Sequence, residues 1–325
     1  MSAQDTGKLY ARRADAMRWA QDAAQRRDLD PARTRASVGA ARYVRQIAKL
    51  MEPAPVGSAK NWNLYRSRFV EPIRIRAGVQ FWQNNREALE RAQAETGVPA
   101  QIIVGIIGVE TLYGQHMGKF RVIDALTTLA FDFPRRHPRA AERSAFFKAE
   151  LEQFLSLMQR SGVDPLKPRG SYAGAMGMAQ FMPSSWTRYA VDFDGDSKID
   201  LFGSAADAIG SVANYLRTFD WQPGMATHYP VHFDADRLDL QALLAPDILP
   251  TFSVASLSAK GAVLEGAALE HPGPLALVEL QNGEAPPTYI AGTENFYVLT
   301  RYNWSSYYAM AVIELGQAVA QELRD

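Results

Sequence analysis

In the first half of the chain, apolar and charged positions recur at three- and four-residue spacing. ADAMRWAQDAAQRR (14–27), TRASVGAARYVRQIAKLM (34–51) and GVQFWQNNREALERAQAETG (78–97) each carry that pattern and predict amphipathic helices. EPAPVGS (52–58) interrupts them as a loop. Pro99 suits the first turn of a further helix. The run that follows it, 102–109, has no polar side chain, so that helix is expected to be buried on all sides. AERSAFFKAELEQFLSLMQR (141–160) predicts another long helix. Near Trp221 the pattern changes. Prolines separate short apolar runs such as PLALVEL (274–280) as far as about Gly292, and together with NFYVLT (295–300) these read as strands. YYAMAVIELGQAVAQEL (307–323) returns to helical periodicity. The expected fold class is α+β and predominantly helical, with no internal repeat or low-complexity tract.

Length and composition narrow the function classes. The chain has 325 residues, and at roughly 150 residues per domain that suggests about two domains. A hydrophobic fraction of 47% supports a sizeable core rather than disorder. Lysine plus arginine equals aspartate plus glutamate at 35 each, so no net field draws a polyanion, and nucleic acid is not an expected partner. With no cysteine, disulfides, thiolate metal sites and thiol nucleophiles are excluded. The longest apolar run is far short of the roughly 20 residues that span a bilayer. The opening MSAQDTGKLYARRADAMRW lacks the apolar stretch of a signal peptide, which leaves a cytoplasmic protein or one written without its export segment.

Chemistry enters at Glu110, which ends the apolar run in IIVGIIGVETLYGQHMGKF (102–120) with Lys119 as the nearest basic residue in sequence. Two readings fit. The carboxylate emerges at the helix end and is solvated, or it stays in apolar surroundings, where desolvation raises its pKa and keeps the proton that a general acid needs. GSYAGAMGMAQFMPSSW (170–186) concentrates small residues before Gln180, which suits either close approach of backbone to a ligand or a tight helix crossing. RYNWSSYY (301–308) crowds Tyr302, Trp304, Tyr307 and Tyr308, whose flat faces and polar tips suit sugars but also a core.

Taken together, GVETLYG, GAMGMAQFMPSSW, DAIGSVANYL and FYVLTRYN followed by YAMAV resemble the membrane-bound lytic transglycosylase B family, enzymes with a lysozyme-like core that cleave bacterial peptidoglycan. The resemblance runs from the helical first third to the C-terminal helix and is weak only between about Trp221 and Gly292. It implies a helical N-terminal region over 1–95, a lysozyme-like catalytic core over 96–220, a small β-containing segment over 221–292, and over 293–325 a return strand, an aromatic groove wall and a C-terminal helix. Glu110 matches the family's single catalytic acid. Ser171 and Gln180 match residues of the glycan groove, and Tyr302, Asn303 and Tyr308 match its second wall. Tyr65, in NLYRSRF, falls on a family aromatic near the cleft, while Arg135 and Arg136, in FPRR, match basic residues facing the stem peptides, whose carboxylates such a pair can hold. For either arginine singly, a solvated loop is an equal reading.

The implied reaction uses one carboxyl group. Glycosidases that retain configuration normally need a second one roughly 5 Å away, and inverting ones a wider pair. Asp124 and Asp132 are the candidates for that partner, and Asp124 also suits a helix brace. In the family, the acid protonates the oxygen between muramic acid and glucosamine, the N-acetyl group of the substrate stabilises the positive centre, and the same residue then takes a proton from the muramyl 6-hydroxyl to close a 1,6-anhydro ring. A hydrolytic muramidase and a non-catalytic peptidoglycan-binding protein are the alternatives. The partners implied are glycan strands with their stem peptides, the compartment is the periplasm, soluble or at the outer membrane, and the chain is expected to be a monomer.

VDFDGDSKIDLFGSAAD (191–207) adds a metal candidate. Asp192, Asp194 and Asp196 fall like positions 1, 3 and 5 of a calcium loop, with the Lys198 carbonyl at 7 and Asp200 at 9. Ser197 replaces the glycine of position 6 and Gly203 the glutamate of position 12, and an acidic turn that binds sodium or nothing fits too. The family has an EF-hand-like loop here with a late acidic ligand, for which Asp207 is the match. A structural calcium ion is thus expected, with no cofactor for catalysis; the histidines show no metal spacing.

Overall fold

The computed structural model describes residues 7–53 and 60–324, so most of the expected loop over 52–58 lies outside the described residues. Its helices are α1 (Ala14–Arg27), α2 (Pro31–Ala40), α3 (Arg45–Leu50), α4 (Trp62–Arg66), α5 (Pro72–Asn84), α6 (Arg86–Thr96), α7 (Ala100–Thr111), α8 (Val122–Phe131), α9 (Ala140–Arg160), α10 (Pro183–Tyr189), α11 (Ala205–Thr218), α12 (Leu240–Leu244), α13 (Val254–Ala259), α14 (Glu294–Tyr302) and α15 (Ser306–Glu322). Its strands are β1 (Phe120–Arg121), β2 (Arg169–Gly170), β3 (His228–Pro230), β4 (His232–Phe233), β5 (Ala262–Val263), β6 (Ala276–Asn282) and β7 (Ala285–Gly292). The chain forms two compact units, one of Met1–Val56, Gly114–Asp192 and Asp196–Ala208, the other of Gly57–Tyr113, Phe193–Gly195 and Ile209–Asp325. Among the described residues, no single helix is long and apolar enough to cross a membrane.

In the first unit, α1 buries the small side chains Ala16, Ala20 and Ala23 and packs on α2, while α8 packs on α9 through fully buried Ile123, Leu126, Phe147 and Phe154. The helix expected over 34–51 is broken. Residues 41–44 leave the helical path because tertiary partners take their backbone: Tyr43 N–H donates to the Lys8 carbonyl at 3.2 Å, Arg42 N–H to Asp124 at 2.9 Å and Val44 N–H to Thr128 at 3.1 Å. Each bond replaces one that a continuous helix would have made internally. β1 and β2 pair antiparallel, Phe120 with Gly170 and Arg121 with Arg169.

In the second unit, α7 packs against α5, α6 and α15, and 102–109 are buried as the apolar run predicts. Two glycines let α7 and α15 touch backbone to backbone. A Cβ on Gly105 would lie 2.2 Å from the Val312 carbonyl oxygen, and one on Gly316 would lie 2.0 Å from that of Gln101. The register follows: four residues on along α7 correspond to four back along α15, which brings the end of α7 to the start of α15. The helix expected over 78–97 divides at Asn85, whose side-chain amide donates to the Phe81 carbonyl at 2.8 Å beside its own N–H. An asparagine bonding to backbone in this way competes with helix continuation.

PLALVEL forms most of β6 as expected, in a sheet ordered β3-β7-β6 that is antiparallel throughout. With the β4-β5 pair, it covers a core of Leu243, Leu257, Leu264, Leu275, Leu277 and Ala291. NFYVLT is a correction: it is helix α14, not a strand. Thr293 caps it by accepting the Asn295 and Phe296 N–H groups, and Phe296, Val298 and Leu299 are buried at helical spacing. The cap and the buried face override the strand preference of β-branched and aromatic residues.

Candidate active site

The last turn of α7 carries Glu110, and the helix stops directly behind it. Leu112 and Tyr113 both adopt left-handed backbone, φ 50° and 57°, conformations that cost a non-glycine residue on the order of 1 kcal/mol each. Leu112 N–H donates to the Gly108 carbonyl at 3.1 Å, and the Arg74 guanidinium donates to the same oxygen. Glu110 is half-buried at this end. The Tyr308 hydroxyl donates to its Oε1 at 2.7 Å.

Burial raises the Glu110 carboxyl from 4.5 to about 7, and the Tyr308 hydrogen bond, which favours the charged form, holds it back from rising further. Among the described residues, neither a cation nor a second carboxylate enters that balance. The desolvated reading of Glu110 therefore fits the geometry better than the solvated one. Around it stand tyrosines. Tyr308 stacks on Tyr302 with centroids 6.3 Å apart and planes 12° apart. Tyr302 packs edge-on to Tyr215 at 4.8 Å, and the Tyr215 hydroxyl donates to the Arg301 carbonyl at 2.7 Å. Tyr65 packs among Trp62, Phe69 and Tyr307. Burial and then the Glu110 charge push the phenols of Tyr65, Tyr302 and Tyr308 above their ordinary range, so each stays a neutral donor beside the acid.

Glu110, Tyr65, Tyr302 and Tyr308 are thus brought together in the second unit, where Asn303 is an exposed residue ending α14. Ser171, Gln180, Arg135 and Arg136 belong to the first unit. The Ser171 Oγ accepts the Ala173 and Ala175 N–H groups at 3.2 and 3.0 Å. Gln180 sits at φ 49°, its amide nitrogen donating to the Met117 and Gly177 carbonyls at 3.2 and 2.9 Å, and among the described residues its Oε1 accepts no hydrogen bond. The small residues before it serve close backbone packing within the protein: a Cβ on Gly170 would lie 2.2 Å from the Ala175 carbonyl oxygen. Arg135 and Arg136 are exposed in a turn and make no ion pair among the described residues.

The two candidate second carboxylates are both engaged in the first unit. Asp124 accepts Arg121 through both oxygens at 2.7 and 2.8 Å and the Arg42 N–H at 2.9 Å, the brace the sequence suggested. Asp132 accepts the Tyr10 hydroxyl at 2.5 Å and the Arg13 guanidinium at 2.9 Å. Sequence reasoning did not single out Tyr215, Trp62 or Arg74. Tyr215 lies in the DAIGSVANYL motif and Trp62 three residues before Tyr65, but neither spacing signals a site; Arg74 acts through a backbone carbonyl, which no side-chain motif encodes.

In the acidic loop, carboxylate oxygens of Asp192, Asp194 and Asp196 come within 4.8 Å of one another, all three exposed. Ser197 adopts φ 70°, the turn that glycine usually supplies at that position, and its N–H donates to Asp192 at 2.8 Å. Asp207 is buried and accepts the Asp200 N–H at 2.7 Å, tying down the far end of the loop. Three converging hard oxygens on a sharp turn fit a calcium ion, which would offset their mutual repulsion.

The family described as the transglycosylase SLT domain matches residues 12–317. The membrane-bound lytic murein transglycosylase B of Escherichia coli is 44% identical over 267 residues, which is 82% of this chain and 69% of that protein. The Escherichia coli lytic transglycosylase SLT35, solved in complex with calcium, is 38% identical with a TM-score of 0.85, covering 99% of this chain and 97% of its own. SltB3 of Pseudomonas aeruginosa, solved with NAG-NAM-pentapeptide, is 28% identical with a TM-score of 0.78, covering 97% of this chain and 80% of its own. Peptidoglycan lytic transglycosylases with a predominantly helical, lysozyme-like fold are the class that fold and site define. The chain belongs to the transglycosylase SLT domain family.

Proposed function

We propose that the enzyme cleaves the β-1,4 bond between N-acetylmuramic acid and N-acetylglucosamine with Glu110 as its only acid and base, releasing 1,6-anhydromuramyl ends. The observation that carries this reading is the Glu110 carboxyl raised to about 7, hydrogen-bonded by Tyr308 and influenced by no second carboxylate among the described residues. Near neutral pH about half of such groups hold their proton and can give it to the glycosidic oxygen. The carboxylate left behind is then the base for the muramyl 6-hydroxyl, with Tyr308 stabilising its charge. Asp124 and Asp132, each bound to an arginine, are poor candidates to activate water, which argues against the hydrolytic alternative.

In this reading Tyr65, Tyr302 and Asn303 are glycan-binding residues, Ser171 and Gln180 are glycan-binding residues too, and Arg135 and Arg136 bind stem-peptide carboxylates, in keeping with the pentapeptide ligand of SltB3. Asp192, Asp194 and Asp196 hold structural calcium, supported by the calcium complex of SLT35, with the Lys198 carbonyl and Asp207 as further ligands. The compartment is the periplasm, where the substrate lies. The test is Glu110→Gln, which keeps size and hydrogen bonding but not the transferable proton. Turnover of purified peptidoglycan should fall at least about a hundredfold with binding retained; near-normal turnover would remove Glu110 from the mechanism.

A further inference from the structure

The second unit contains a cavity of about 530 Å³ beside Tyr65, lined among others by Lys60, Arg68, Asp247, Trp304 and Ser306. A smaller one of about 260 Å³ shares Lys60, Asp247 and Ser306 and reaches Glu279 and Gln281 on β6. Apart from Tyr65, none of these residues has a part in the chemistry assigned to Glu110.

Their charges are arranged for a ligand rather than for one another. Arg66 on the same segment is neutralised by Glu314, but Lys60 and Arg68 make no ion pair among the described residues. Asp247 is exposed and held at φ 57°, a strained backbone for an aspartate, and its carboxylate accepts no hydrogen bond among the described residues. Glu279, by contrast, is engaged, accepting the Tyr289 hydroxyl at 2.8 Å and the Gln281 amide at 3.1 Å. At the rim Trp304 is 58% exposed, its indole edge-on to Tyr297 at 6.0 Å. Among the described residues, two cations and one anion without an ion pair thus share one groove with an exposed aromatic.

We propose that this groove is a binding site for a stem peptide, separate from Arg135 and Arg136. The ligand that matches is a short peptide with more carboxylates than amines: its carboxylates meet Lys60 and Arg68, its ammonium meets Asp247, and Trp304 covers an apolar side chain. A glycan without stem peptides offers the lactyl carboxylates of muramic acid but no ammonium and no apolar side chain, so it would leave Asp247 and Trp304 without partners. This proposal rests on the peptidoglycan reading above and extends it to a second peptide-bearing residue of the strand.

The test is binding in the inactive Glu110→Gln background, by co-sedimentation with purified sacculi, intact or stripped of stem peptides by an amidase. Lys60→Ala with Arg68→Ala should weaken half-saturation on intact sacculi by about fivefold or more and change it less than about twofold on stripped sacculi. Asp247→Asn should show the same selectivity more weakly. Equal weakening on both substrates, or none on either, would overturn the site. Failure of the parent protein to bind either preparation would instead overturn the peptidoglycan reading itself.

Discussion

The Tyr308 hydroxyl meets the Glu110 carboxyl at 2.7 Å because two glycines, Gly105 and Gly316, let their helices run in backbone contact. A side chain at either glycine would hold the helices apart and carry the phenol away from the acid. The bond restrains the very group it serves: burial raises the Glu110 pKa, and donation by Tyr308 lowers it. That opposition sets the first expectation.

Tyr308→Phe removes the donor while leaving the ring and its burial. The charged form of Glu110 loses its stabilising bond, so the pKa rises from its value of about 7. The alkaline limb of kcat/KM should move upward by about one pH unit, with a lower maximum because the acid is less well oriented. An unmoved limb, measured on solubilised glycan strands, would separate Tyr308 from the titrating group.

Linkage gives a second expectation. A carboxyl raised in the folded state contributes its full stability below the unfolded value of 4.5 and loses it as pH climbs towards about 7. The native protein should therefore weaken relative to Glu110→Gln across that window, by about 3 kcal/mol in total, and the difference should be constant above it. Urea melts at a series of pH values measure it. A stability difference that does not vary between pH 4 and pH 8 would mean that Glu110 is solvated.

The acidic loop gives a third. Calcium bound by Asp192, Asp194 and Asp196 in the folded state alone should raise Tm relative to chelator-treated protein. Stability should respond more than turnover, since the loop holds none of the residues proposed to act on the glycosidic bond. Identical Tm values, with no binding heat in calorimetry, would reduce the loop to an acidic turn.

Parts of this molecule were legible in the sequence for physical reasons. An unbroken apolar run must be buried, so 102–109 announced a core helix, while leaving open whether the acid at its end was solvated or desolvated. Helical periodicity located α1, α9 and α15 because their stability comes from one buried face. The breaks at 41–44 and Asn85 were not legible, since they depend on hydrogen bonds that exist only after folding, such as Arg42 N–H to Asp124. NFYVLT misled because its residue types favour strands while its cap, Thr293, lies outside the motif. The tyrosines of RYNWSSYY were visible as a crowd, but only the resemblance gave them a place beside Glu110; Tyr215 and Arg74 stayed hidden because they act through neighbours.

One acid working without activated water leaves its signature in the oxygen of the product. Ring closure by the muramyl 6-hydroxyl is intramolecular and should outrun attack by water through its high effective concentration. Digestion of purified peptidoglycan in oxygen-18 water, followed by mass spectrometry of the released muropeptides, should yield 1,6-anhydro ends free of label. Reducing muramic ends carrying solvent oxygen from the initial cleavage would contradict the account, and Asp124 and Asp132 would then have to be tested as the carboxylate that activates water.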